Sequence, residues 1–121
     1  HLSSRGVQVN SGKTSDISNS VFSKNKSTGG GAIWAYGGTT TITDSVFTGN
    51  TASSSSSSYA EGGAIWVGAG TTTITNSNFT NNNTTNTWSS SYSRGGAVFL
   101  TGNNSTTDII NSIFENNNSI F

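Results

Sequence analysis

At 121 residues the chain has the length of one domain, and five basic residues against five acidic ones leave it without net charge. That balance offers no field for nucleic acid or an anionic membrane, no apolar run is long enough to span a bilayer, and the absence of cysteine excludes disulfides and thiolate metal sites. Ser, Thr and Asn number 23, 19 and 16, nearly half the chain, whereas Leu, Ile, Val and Phe together reach 23. So thin an apolar share borders on disorder, but disorder also wants high net charge, and here the apolar residues recur in register; an ordered fold with a thin core is expected.

The recurrence begins at Arg5-Gly6-Val7-Gln8-Val9, and sixteen residues after Gly6 comes Phe22-x-x-Asn25. Gly-Gly-Ala-Ile at 30–33 is then followed by Phe47-x-x-Asn50, Gly-Gly-Ala-Ile at 62–65 by Phe79-x-x-Asn82, and Gly-Gly-Ala-Val at 95–98 by Phe114-x-x-Asn117. The chain is four copies of one unit, starting near Gly6, Gly31, Gly63 and Gly96, in steps of 25, 32 and 33 residues. Steps of that size mark a solenoid, here a single domain over 1–121.

Aligned, the copies give columns. Ala32, Ala64 and Ala97 stand with Val7; Ile33, Ile65 and Val98 with Gln8; Trp34, Trp66 and Phe99 with Val9. Further on come Ile17, Ile42, Ile74 and Ile109, then Asn19, Asp44, Asn76 and Asn111, then Ser20, Ser45, Ser77 and Ser112, and two residues later the phenylalanines. Residues 39–43 and 71–75 are almost wholly β-branched, which suits strands, and no helical period appears. A 25-residue unit with two or three short strands is the size of one turn of a parallel β-helix, so about four coils are predicted, stacked at about 4.8 Å.

Ile and Phe lie five apart, an odd spacing that a straight strand cannot turn inward at both ends. A bend is therefore predicted at the Asn/Asp column, the non-glycine residues that best tolerate left-handed backbone. Those side chains act either as turn formers or as a hydrogen-bonded ladder up the solenoid. The paired glycines mark a sharp bend with no room for Cβ, and Phe-x-x-Asn marks another corner of the same coil. Length differences fall at 51–61 and 84–94, predicted as Ser/Thr/Asn-rich loops on one edge; they carry Tyr59, Trp88 and Tyr92, which suggests that they fold back.

The acids Asp16, Asp44, Glu61, Asp108 and Glu115 form no evident pair, Arg5 and Arg94 read as corner residues, and His1, the only histidine, is the first residue. Paired-carboxylate and Ser-His-Asp chemistry therefore find no support, nor does a repeated calcium motif. No catalytic, cofactor or metal residues are assigned. The column Trp34, Trp66 and Phe99 has two readings. If Ile33 and Ile65 point inward, the aromatics form an outward stripe for a ligand or partner; if Ala and Trp point inward, they are core, and the first coil, with Val7 and Val9 kept and Gln8 in the Ile column, leans this way. Sequons occur at Asn25, Asn78, Asn82, Asn83, Asn103, Asn104 and Asn117. Those of Phe-x-x-Asn are structural in this reading, leaving Asn78, Asn83, Asn103 and Asn104 as candidate glycan sites.

The Gly-Gly-Ala-[Ile/Val] and Phe-x-x-Asn pair resembles the repeat of the chlamydial polymorphic outer membrane proteins. The resemblance implies a right-handed parallel β-helix, secreted or displayed at the surface, often as an adhesin. The chain starts with His rather than Met, as if processed or cut from something longer, and shows no polar cap at either end. The expectation is a non-enzymatic extracellular or cell-surface β-helix, structural or adhesive, stacking head to tail through its end coils or forming part of a longer adhesin. Its external partner would be a host or matrix glycan or protein. The alternative is a carbohydrate-binding or carbohydrate-active β-helix.

Overall fold

The structure, a computed structural model, describes residues 6–55, 59–87, 92–102 and 105–120. Every regular element among them is a strand. The first coil holds β1 (Val7–Val9), β2 (Thr14–Ser18), β3 (Val21–Ser23) and β4 (Lys26–Ser27). The second holds β5 (Ile33–Thr43), β6 (Val46–Thr48), β7 (Thr51–Ser54) and β8 (Ala60–Glu61). The third holds β9 (Ile65–Thr75), β10 (Asn78–Thr80), β11 (Asn83–Asn86) and β12 (Ser93–Arg94), and the fourth β13 (Val98–Leu100), β14 (Ser105–Ile110), β15 (Ile113–Glu115) and β16 (Asn118–Ile120).

All pairings are parallel and join equivalent strands of successive coils. One sheet runs β1-β5-β9-β13, with β2 and β14 alongside the second halves of β5 and β9; a second runs β3-β6-β10-β15, a third β4-β7-β11-β16, and β8 pairs β12. This is a parallel β-helix, as the repeat predicts. Parallel strands return to the same sheet only after a crossover, and here each crossover is the rest of the coil.

Local chemistry sets the bends. Asn19, Asp44, Asn76 and Asn111 have φ of 49, 51, 51 and 50°, so the predicted left-handed corner is present in every coil. A second corner lies one residue before the Asn of Phe-x-x-Asn, at Lys24, Gly49, Asn81 and Asn116, with φ of 58, 67, 56 and 55°. The third is the first glycine of each pair, Gly30, Gly62 and Gly95. The second glycine is required for close approach: a Cβ on Gly63 would lie 1.9 Å from the Gly96 carbonyl oxygen.

The core is a set of columns. Ile33, Ile65, Ile42, Ile74, Phe47 and Phe79 are fully buried, and Phe22, Phe47, Phe79 and Phe114 stack in sequence with centroids 4.8, 4.6 and 4.6 Å apart and planes within 3°. Burying each inner phenylalanine contributes on the order of 2–3 kcal/mol, before the stacking geometry adds to it.

Two expectations are corrected. In the first coil Val7 pairs Ile33, Gln8 pairs Trp34 and Val9 pairs Ala35, one residue off the alignment from Gly6. The offset to the second coil is thus 26 residues here but 25 from Thr14–Thr39 onward. Residues 51–61 and 84–94 are also not wholly loop, since they open on β7 and β11 and close on β8 and β12. The expectations for His1, Arg5, Trp88, Asn103, Asn104 and the second half of the serine run, residues 56–58, fall outside the described residues.

Candidate functional site

The corrected register decides which way the aromatic column faces. With Ile33 and Ile65 fully buried, the two-residue period sends Trp34 and Trp66 to the outer face, where they and Phe99 are half-buried and in register. The lean toward a core stripe is overturned: Val9 belongs with the buried Ala35 and Val67, and Gln8 is the first coil's outward residue.

Trp34 and Trp66 stack with centroids 5.1 Å apart and planes at 6°. Tyr36, 52% exposed, extends the array at 5.2 Å from Trp34 and 6.1 Å from Trp66. Gly68 is what lets these rings lie against the strand. A Cβ there would stand 2.3 Å from Trp66 Cη2 and 2.9 Å from Tyr36 Cδ1.

Polar contacts fix the rings. Trp66 Nε1 donates to Glu61 Oε1 at 3.1 Å, and Glu61 Oε2 pairs with Arg94 Nε at 3.2 Å. The Arg94 guanidinium lies 4.2 Å from the Tyr59 ring centroid, 5.5 Å from Phe99 and 5.9 Å from Tyr92. Tyr59 and Tyr92 meet at 5.7 Å. One lateral band therefore runs from Tyr36 through Trp34 and Trp66 to Glu61, Arg94 and the two insert tyrosines. Its core was visible in the column of Trp34, Trp66 and Phe99. Tyr36, Glu61 and Arg94 were missed as members, although Tyr59-x-Glu61-Gly62 and Tyr92-x-Arg94-Gly95 share a spacing that places both tyrosines and both charges in register.

No pocket opens along the band or elsewhere among the described residues. Nor do three or more His, Asp or Glu side chains gather there at metal-binding spacing. Of the sequons, Asn78 is exposed on β10, and Asn83 is half-buried with Nδ2 donating to the Asn81 carbonyl at 3.3 Å. Asn25, Asn82 and Asn117 are engaged elsewhere, in a side-chain ladder described below.

No curated protein and no solved structure matches the chain. The model of the Chlamydia polymorphic membrane protein repeat matches residues 19–36 and 44–68. Each matched stretch opens on a left-handed Asn or Asp, passes through Phe-x-x-Asn and ends just beyond the Gly-Gly-Ala-Ile-Trp or Gly-Gly-Gly-Ala-Ile-Trp run, so the chain's coils resemble that family's repeat in the residues that make the corners and the outer aromatic column.

Proposed function

We propose that this chain is a non-enzymatic structural and adhesive β-helix, displayed outside the cell or on its surface, as a stacking filament unit or as part of a longer adhesin. The observation that carries the reading is the lateral band, in which Tyr36, Trp34 and Trp66 are held outward on a stacked sheet and locked through Glu61 and Arg94. Half-buried aromatics on a rigid face supply contact area at little entropic cost, which is what a docking surface needs. The match to a membrane-protein repeat and the Ser/Thr/Asn-rich composition support surface display.

The second reading, a carbohydrate-binding β-helix, draws on the same rings, because flat aromatic arrays stack on the apolar faces of sugars. Glycan and matrix-protein arrays probed with the native chain and with Tyr36→Ala and Trp34→Ala separate the two. Matrix-protein binding that both substitutions weaken supports adhesion to protein, and glycan binding lost in the same way supports the sugar reading. Binding to either that ignores both substitutions removes the band as the site.

A further inference from the structure

The side-chain ladders of this β-helix have a direction. The backbone N–H of Ser20 donates to Ser45 Oγ, that of Ser45 to Ser77 Oγ and that of Ser77 to Ser112 Oγ, each at 3.2 Å. The N–H and Nδ2 of Asn25 donate to Asn50 Oδ1, those of Asn50 to Asn82 Oδ1 and those of Asn82 to Asn117 Oδ1, at 2.9–3.1 Å. In both ladders the side-chain oxygen acceptor belongs to the next coil toward the C-terminus, while Nδ2 of Asn50, Asn82 and Asn117 also donates back to the Phe22, Phe47 and Phe79 carbonyl oxygens. Among the described residues the first coil therefore keeps two unused ladder acceptors, Ser20 Oγ and Asn25 Oδ1, and the fourth keeps three unused ladder donors, the N–H groups of Ser112 and Asn117 and the second hydrogen of Asn117 Nδ2.

The apolar columns end in the same way. Phe114 and Ile109 are 41% and 42% exposed where their counterparts Phe79 and Ile74 are fully buried, and Phe22 is half-buried at the other end of the stack.

We infer that the fourth coil docks on the first coil of a second copy of this chain, in the register that already relates one coil to the next. Phe114 stacks on the partner copy's Phe22, the Ser112 and Asn117 N–H groups donate to its Ser20 Oγ and Asn25 Oδ1, and the strand edges of β13 to β16 pair with those of β1 to β4. Charge favours the contact at one corner: Glu115 falls opposite Ser23, the residue next to Lys24 in the partner's sequence. The same register sets Asp108 opposite Asp16, both exposed, which weakens it slightly. The contact is heterologous and does not close, so copies add indefinitely, with an axial repeat of about 20 Å for four coils. This inference rests on the filament form of the reading above; a chain that stays single yet binds its surface through the lateral band defeats the stacking and leaves adhesion intact.

Sedimentation velocity and electron microscopy of the purified chain test it, using Phe22→Lys to block one face and Phe114→Lys to block the other. The native chain should form rods that lengthen with concentration, and each variant alone should stay a single chain. An equal mixture of the two should give a two-chain species, because each supplies the face the other lacks. Asp16→Asn, at an exposed site that leaves folding untouched, should tighten association about two- to fivefold. A native chain that remains single at every concentration would overturn the stacking, as would rods that persist in both lysine variants. So would a mixture with no two-chain species while both variants keep a β-sheet circular dichroism spectrum.

Discussion

Asn82 Nδ2 donates to the Phe47 carbonyl oxygen at 2.9 Å and to Asn117 Oδ1 at 3.0 Å, in a side chain with no solvent exposure. Its Oδ1 meanwhile accepts from the N–H and Nδ2 of Asn50. Every polar atom of a fully buried amide is thus satisfied by the coils above and below, which is the condition for burying it without penalty.

Asn82→Asp keeps the shape and the acceptor but removes both donors, leaving two acceptors facing a carboxylate. The expected cost at neutral pH is about 3 kcal/mol or more, read from urea unfolding. Burial beside acceptors raises the folded-state pKa of this aspartate above its unfolded value of about 3.9. The folded state then binds the extra proton, so the variant is least impaired below the unfolded pKa and loses stability as pH rises through the folded one. A cost that does not change with pH would mean that the side chain has left the ladder.

Thr40 makes the opposite case. It is 1% exposed and its Oγ1 has no hydrogen-bond partner. Thr40→Val replaces an unsatisfied hydroxyl with a methyl of similar size, and stability should rise by about 1 kcal/mol. A lower urea midpoint would show that the hydroxyl has a partner.

Gly63→Ala should cost about 3 kcal/mol, because the new Cβ meets the Gly96 carbonyl and the Asn83 backbone at 1.9 and 2.7 Å and only backbone can yield. Thermal unfolding measures it, and a change below about 0.5 kcal/mol would contradict the close packing of coils three and four at this corner.

At Gly68 the obstruction is the far end of side chains rather than backbone, so Gly68→Ala should keep the fold and displace the Trp66 ring. In a background with Trp34 and Trp88 replaced by Phe, tryptophan emission should shift to longer wavelength as the Nε1 bond to Glu61 is lost. An unchanged emission maximum would place the ring elsewhere.

The period of the repeat made the coils, the left-handed Asn/Asp corner and the phenylalanine core legible, because each rests on one residue type at one spacing. The corner at Phe-x-x-Asn was legible as a corner, but not the residue that turns it, since Lys24, Gly49, Asn81 and Asn116 share a backbone conformation but no chemistry. Between turn former and ladder, the Asn/Asp column is the turn former; the ladder belongs to Asn25, Asn50, Asn82 and Asn117. Apart from Asp44 both columns are asparagine, and only backbone conformation and burial tell them apart. The outward set of Trp34 and Trp66 was obscured by a one-residue slip in the first coil, and in a strand one residue exchanges the two faces. Glu61 and Arg94 were read singly, since their pairing depends on two inserts meeting across coils.

Equivalent residues of successive copies lie side by side. Val21, Val46 and Asn78 are register partners on the outer face of one sheet. Nitroxide labels attached at cysteines introduced at these three positions, in a chain with no cysteine of its own, would stand about 4.8 Å apart from rung to rung. Electron paramagnetic resonance should then give a spectrum collapsed by spin exchange under native conditions, returning to three separate lines in denaturant. Three sharp, non-interacting lines from the folded chain would contradict the in-register β-helix.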